Sequence, residues 1–380
     1  MNEVGADPDA RGISTEFLHR ANEERARDWP NAMVSTATHD TKRGEDLRWR
    51  LCVLSEMPHE WATCVSRWRR LKRRRRGVDV AEATQEYLLL QTLLGLWPAN
   101  AAAADLEALR TRLAEYAIKA AREAKEYTAW LEPDEEAEAG LRDLVAMMLP
   151  EQGGAGFERY FRAVIDPVAW FGMLNSLSAL TLKLTAPGIP DLYQGTELPS
   201  LVLVDPDNRR PADYEANAAM LADLERQAGE EPAGSLVQRL LSQWQDGRLK
   251  LFITHRLLQL RQQQASAFHG DYCVLPVQGP RVEHLCAYAR SGGDCTVVTV
   301  VSRWASLLTG GQLRVPSGTE IWQDTVVQCP ARLVPGRYLD VLSGRPHIIA
   351  SNADAASLQV ADLLSTLPVC VLVRQQEEAG

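Results

Sequence analysis

Ser35-Thr36-Ala37-Thr38-His39-Asp40-Thr41-Lys42-Arg43 joins a short β-prone run to an acid and then to a helical pattern. Chemistry gathers at such joints. Met33 to Thr38 are mostly small or β-branched, the composition of a buried parallel strand, which tends to be continuously apolar rather than alternating. Beyond it, Asp40 or Thr41 has the chemistry of a helix N-cap, with Glu45 and Asp46 in the first turn at the positive end of the dipole. Two readings stay open. Asp40 is either a cap with His39 as an ordinary loop residue, or a carboxylate at the C-terminal tip of a strand, where (β/α)8 barrels keep their active-site groups.

Size and composition narrow the classes. The 380 residues leave room for roughly two or three domains, and 46% hydrophobic with 24% charged residues is ordinary for a folded chain. A net charge of −9 argues against nucleic acid as a general partner. Met1 to Pro8 has no basic start and no apolar core, so no signal peptide is expected. No uninterrupted apolar run is long enough to cross a bilayer, so no membrane partner is expected either. The seven cysteines are scattered without a Cys-x-x-Cys pair, which reads as reduced thiols and a cytoplasmic location. The seven histidines are equally dispersed, so no metal and no cofactor is expected.

Taken in order, Ser14 can cap a helix to about Asp28, with Pro30 as its stop. Leu47, Leu51 and Leu54 fall at helical spacing after the joint, and Pro58 opens another helix lined by Trp61, Val65 and Trp68. Three large residues so spaced are core far more often than a cofactor box. That helix ends in a basic run from Arg67 to Arg76, which in an acidic chain without aromatic platforms reads as a solvated helix end. Helical pattern then continues from Glu82 to about Leu184, with stops at Pro98 and Gln152 to Gly156, and a last segment opening after Pro167.

A second joint follows at Ala186-Pro187-Gly188-Ile189-Pro190-Asp191-Leu192-Tyr193-Gln194-Gly195-Thr196-Glu197. Pro and Gly frame a very short strand, Ile189 to Tyr193, and Gly195 permits a sharp turn before Glu197. Asp205-Pro206-Asp207-Asn208-Arg209-Arg210-Pro211 continues as a loop whose acids, amide and arginines either bond a polyol or tie the loop together. Arg239 to Gln264 reads as a helix interrupted near Asp246-Gly247. After His269 the texture becomes β: His284 to Ala289, Cys295 to Ser302, Gln312 to Val315, Tyr338 to Val341 and Val369 to Val373, with Ser291 to Asp294 as a hairpin turn. The expected fold class is thus α/β plus all-β, ending in a small antiparallel β-sandwich.

Thr38-His39-Asp40 resembles the His-Asp motif after the seventh strand of the α-amylase superfamily of glycoside-transforming barrels, and Pro187 to Glu197 resembles its eighth-strand segment. The longer wording Ala37 to Arg48, Arg122-Glu123-Ala124-Lys125 and Asp205 to Pro211 is similar to one branch, the glucosylmutases that turn the reducing end of a maltooligosaccharide into an α,α-1,1 trehalose end. The resemblance implies the carboxy-terminal portion of a (β/α)8 barrel with a large helical insertion. Residues 1–57 would be the strand-seven region, 58–165 the insertion, 166–268 the rest of the barrel and 269–380 the β-sandwich. It further implies Asp40 and His39 as catalytic, with Lys42, Arg43, Tyr193, Gln194, Glu197, Asp205, Asn208, Arg209 and Arg210 binding a maltooligosaccharide. No segment matches the family's nucleophile or general-acid motif, which lie after strands four and five. The implied partner is therefore an amino-terminal half. The alternative is a non-catalytic carbohydrate-binding or assembly module.

Overall fold

Ser14 opens the first helix: its Oγ accepts from the Phe17 N–H at 3.2 Å, and α1 runs Thr15–Asp28. The structure is a computed structural model that describes residues 12–74, 83–98, 103–149, 155–350 and 356–375. After α1 come β1 (Met33–Val34) and the helices α2 (Glu45–Cys52), α3 (Pro58–Arg74), α4 (Ala83–Leu96), α5 (Ala103–Ala124), α6 (Glu135–Met148) and α7 (Ala155–Thr185). Next are β2 (Ile189–Pro190), α8 (Tyr214–Glu230), α9 (Ala233–Ser242), α10 (Arg248–Gln263) and α11 (Ala265–His269). The last part holds β3 (Asp271–Val274), β4 (Val277–Gln278), β5 (Leu285–Gly292), β6 (Cys295–Ser302), α12 (Ala305–Thr309), α13 (Thr319–Trp322) and β7 (Val326–Gln328). It closes with β8 (Gly336–Asp340), β9 (Pro346–Ile349), β10 (Ser357–Gln359), α14 (Val360–Leu363) and β11 (Val369–Arg374).

The chain divides into two units made of discontinuous stretches. Residues 1–41, 174–200 and 210–380 form the first, and 42–173 with 201–209 the second. The second is helical. Trp61, Cys64, Val65 and Trp68 bury one face of α3, while Arg69 and Lys72 on the same helix reach Glu86 of α4 at 3.3 and 2.8 Å. Part of the basic run is thus held by a buried carboxylate, and Arg67 stacks 4.4 Å over the Tyr160 ring. Arg75 and Arg76 lie outside the described residues, as does the break at 152–154.

α7 differs from the expected helix: it opens at Ala155, and Pro167 sits inside it. Proline there forfeits one helical hydrogen bond, and burial of Phe161, Val164, Ile165 and Val168 offsets the loss. By length and composition Tyr160–Thr185 would suffice to cross a membrane, at mean hydropathy 1.3, a stretch broken in sequence by Arg162, Asp166 and Lys183. Sixty-one per cent (61%) of that window is buried within the protein, as in a core helix.

Among the described residues, the sheets all lie in the first unit. β1 and β2 pair in parallel, Met33 opposite Ile189 and Val34 opposite Pro190. An antiparallel sheet of order β3-β5-β6-β11-β8-β9 and a smaller one of order β10-β7-β4 share a core, in which Ala287, Ala289, Val298 and Val300 meet Trp322, Val327 and Leu358. The β5–β6 hairpin turns at Gly293, whose φ of +57° is one that glycine adopts without strain. Gln312 to Val315 is not a strand. Gly310 and Gly311, both at positive φ, and Pro316 bracket it too tightly for a ladder to form.

Candidate functional site

The parallel register of β1 and β2 decides where the two joints emerge. Both strands point the same way, so Ser35 to Thr41 and Asp191 to Glu197 leave from the same, C-terminal, end of the pair. The first segment is fixed by small hydroxyls. Thr38 N–H donates to Thr41 Oγ1 at 2.5 Å, Thr41 N–H returns to the Thr38 carbonyl at 3.2 Å, and Asp40 N–H donates to Thr38 Oγ1 at 3.3 Å. His39 and Asp40 are thereby presented at the tip of a tight turn, their side chains 56% and 67% exposed and 3.3 Å apart from Nε2 to Oδ2. Behind the turn, buried Lys183 of α7 donates to Thr36 Oγ1 at 2.9 Å.

The cap reading of Asp40 is corrected by this geometry. Gly44 occupies the N-cap of α2, and neither Asp40 nor Thr41 caps it. The intervening residues instead make an isolated antiparallel bridge: Arg43 pairs with Leu203, and Gly44 N–H donates to the Val202 carbonyl at 2.7 Å. That bridge holds the chain extended as far as Gly44 and so delays the helix to Glu45.

In the second segment, Gly195 (φ +77°) lets Thr196 fold back, its N–H and Oγ1 both donating to the Tyr193 carbonyl at 3.0 and 2.7 Å. Gln194 reaches the Arg210 carbonyl from Nε2 at 3.4 Å. Glu197 is half-buried, and its Oε2 is shut from solvent with no hydrogen-bond partner among the described residues. Such an orphaned buried acceptor is uncommon in folded proteins.

The second unit holds Lys42, Arg43, Asp205, Asn208 and Arg209. Lys42 Nζ lies 3.9 Å from Glu123 Oε2, and buried Arg43 donates to Thr92 Oγ1 at 3.1 Å. Asp205 pairs with Arg209 at 2.7 Å, both exposed by about half, and Asn208 is buried. Two residues that sequence reasoning missed hold this loop: Arg112 takes Asp207 in a two-point grip at 2.9 and 2.7 Å, and Lys119 donates to the Asp205 carbonyl. Nothing in the sequence singles them out, since they are two of several cations on a helix rich in Ala, Glu, Lys and Arg. Nearby, Arg122 donates to both oxygens of Glu138 at 2.7 and 2.8 Å, which holds that carboxyl below the usual range. The sequence candidates are thus apportioned by unit: His39, Asp40, Tyr193, Gln194, Glu197 and Arg210 to the first, the remaining five to the second. No cluster of three His, Cys, Asp or Glu arranged to hold a metal occurs among the described residues.

No protein-family model matches the chain. A Mycobacterium tuberculosis (strain H37Rv) protein carrying the name maltooligosyl trehalose synthase is 33% identical over 378 residues, 98% of this chain and 42% of that protein. The solved maltooligosyltrehalose synthase of Arthrobacter ramosus is 31% identical with a TM-score of 0.77, again covering 98% of this chain and 42% of that one. The chain corresponds to the carboxy-terminal half of maltooligosyl trehalose synthase. A hypothetical maltooligosyl trehalose synthase of Sulfolobus tokodaii gives 27% identity and a TM-score of 0.68 over the same share. More than half the length of each such maltooligosyl trehalose synthase therefore lies outside the matched region.

Proposed function

We propose that this chain supplies the strand-seven and strand-eight part of a maltooligosyl trehalose synthase active site, and that it needs an amino-terminal half to turn over. The observation that carries the reading is the shared exit of the His39–Asp40 turn and the Tyr193–Glu197 turn from the C-terminal end of a parallel pair. That is the end at which β/α barrels do chemistry.

The reaction breaks the last α-1,4 bond of a maltooligosaccharide and makes an α,α-1,1 bond, with retention at the glycosyl carbon. A nucleophilic carboxylate attacks that carbon while an acid protonates the departing O4 of the terminal glucose. The freed glucose stays bound, and its anomeric hydroxyl attacks the glycosyl-enzyme, giving its proton to the same acid, now a base. Both of those groups would come from an amino-terminal half. Asp40, open to solvent and braced by the Thr38–Thr41 turn, would accept hydrogen bonds from hydroxyls of the sugar being cleaved, with His39 as donor. Such bonds accelerate the step by strengthening as the ring distorts.

Loss of reducing ends from maltohexaose tests the reading, using this chain alone, with the amino-terminal half of the M. tuberculosis relative added, and with Asp40→Asn in that mixture. Turnover that requires both the added half and Asp40 supports it. Turnover by the chain alone places the nucleophile and acid within these residues. Sugar binding with no turnover in any mixture favours the carbohydrate-binding module instead.

A further inference from the structure

In the second unit α5 turns four alanines toward its neighbours: Ala117, Ala120, Ala121 and Ala124 fall at i, i+3, i+4 and i+7, one face of the helix. Methyl side chains are too short to fill the space against α4 and α6. What remains is a cavity of about 180 Å³, floored by Leu88 and Leu89 of α4 and Leu141 of α6. At about 3.6 residues per turn, Arg112 and Lys119, which hold the 205–209 loop, and Glu123, 3.9 Å from Lys42, project from the other side of α5. The cavity thus faces away from the candidate sugar-binding loop.

The rim differs from the floor. α5 stops at Ala124, and Lys125, at φ +57° with its N–H on the Ala121 carbonyl at 3.2 Å, turns the chain so that Glu126 joins Thr84 and Gln85 around the cavity. Glu126 is the one charged side chain in the lining, and it is exposed and enters no ion pair or hydrogen bond among the described residues. Gln85 Oε1 is buried without a hydrogen-bond partner among the described residues. The terminal torsion of a glutamine is broad, so its amide can turn toward an incoming donor.

We infer that this cavity binds a small organic ammonium ion, with an apolar body about the size of one six-membered ring inside and a protonated amine at the rim against Glu126. Size and charge argue for it in turn. An apolar cavity of about 150 Å³ takes up benzene, so the space here suits a ring with one short arm. The leucine and alanine floor offers no side-chain donor or acceptor, and a sugar ring there would bury hydroxyls unpaired, which excludes a maltooligosaccharide. An unpaired carboxylate with no cation in the lining selects a positively charged donor over an anion or a neutral body.

Benzylamine is the probe and benzyl alcohol its uncharged counterpart, each titrated by ligand-observed NMR into this chain, into Glu126→Gln and into Ala120→Leu. Benzylamine should bind the parent with a Kd on the order of 1 mM, and benzyl alcohol more weakly. Glu126→Gln should weaken benzylamine roughly 3- to 5-fold and leave benzyl alcohol unchanged. Ala120→Leu, at a half-buried lining position, should abolish both by filling the space. Circular dichroism melts of each variant separate a filled cavity from a lost fold, and Glu126→Gln, isosteric and exposed, keeps the charge test independent of folding. Unchanged benzylamine affinity in Glu126→Gln would overturn recognition of the cation, and undiminished binding by folded Ala120→Leu would overturn the location. Absence of binding by the parent at roughly 20 mM benzylamine would overturn the site itself. No turnover enters the measurement, so each outcome stands apart from the synthase reading.

Discussion

Arg112 grips Asp207 through two parallel hydrogen bonds, from Nε and Nη2, while the same Nη2 also reaches the Leu201 carbonyl at 2.7 Å. Asp207 in turn accepts from the Leu203 N–H at 2.8 Å, so one guanidinium on α5 fixes the whole turn that bears Asp205, Asn208 and Arg209. Both side chains are largely buried, and removing one leaves the other charged and poorly solvated. Arg112→Ala is expected to cost about 1–3 kcal/mol of stability, read from urea unfolding. Arg112→Lys, which replaces a fork with a point charge, should recover only part of it.

Asp40 presents the opposite case, with most of its side chain in solvent. Asp40→Asn should leave the melting temperature of the isolated chain unchanged, a shift within about 0.5 kcal/mol. In the mixture with the amino-terminal half, the same variant should lower kcat for loss of reducing ends roughly 100-fold or more. Stability and turnover then separate, and a fall in both would make Asp40 a structural residue.

Acid should weaken the first unit. His19, on α1, bonds Tyr272 Oη through Nδ1 at 2.7 Å and has Cys286 Sγ 3.8 Å from Nε2. Burial pushes its basicity down, against the smaller opposing pull of Glu23 and Glu16, and burial does the same to His284 and His347. The unfolded chain takes up protons at these residues near pH 6.5, the folded chain only at lower pH. Their stabilising effect is therefore complete above about pH 6.5 and is lost as pH falls from there through the folded values. Melts at about pH 7.5 and about pH 5.5 should show the drop, and His19→Gln should shrink it relative to the parent. An identical drop in the variant would remove His19 from the account.

What was legible in the residues was whatever local chemistry alone decides. Ser14 capped its helix, Trp61, Val65 and Trp68 faced the core, and the β5–β6 hairpin turned at Gly293-Asp294. The start of α2 was misjudged because the segment after Asp40 is claimed by a bridge to Leu203, a residue 160 positions away in the chain, which no capping rule sees. β4, β7 and β10 were missed because runs of two or three residues carry no alternation to read, and pairing with distant partners defines them. For the candidate site, His39 and Asp40 stand out in the sequence by their position at a joint, whereas Arg112 and Lys119, which hold the Asp205–Arg209 loop of the second unit, sit on a helix whose sequence reads as surface.

Close packing around α2 gives a last contrast. Arg50, fully enclosed, donates to the Gly95 and Trp97 carbonyls at 3.1 and 2.6 Å, and burial brings its guanidinium down to about 10, still charged at neutral pH. Two glycines let neighbouring helices approach it. A Cβ at Gly172 of α7 would stand 2.5 Å from Arg50 Cγ and 2.8 Å from its Cα, whereas one at Gly95 of α4 would meet only the Leu47 side chain, at 2.6 Å. Backbone cannot swing aside as a leucine can, so Gly172→Ala forces α2 and α7 apart and strains the two carbonyl bonds of Arg50. It is expected to cost about 1–3 kcal/mol despite the gain in helix propensity. Gly95→Ala should cost less, because rotation of Leu47 relieves most of the overlap. Paired urea unfolding curves decide it, and an order with Gly95→Ala the more damaging would mean that Leu47, not Arg50, sets the spacing of these helices.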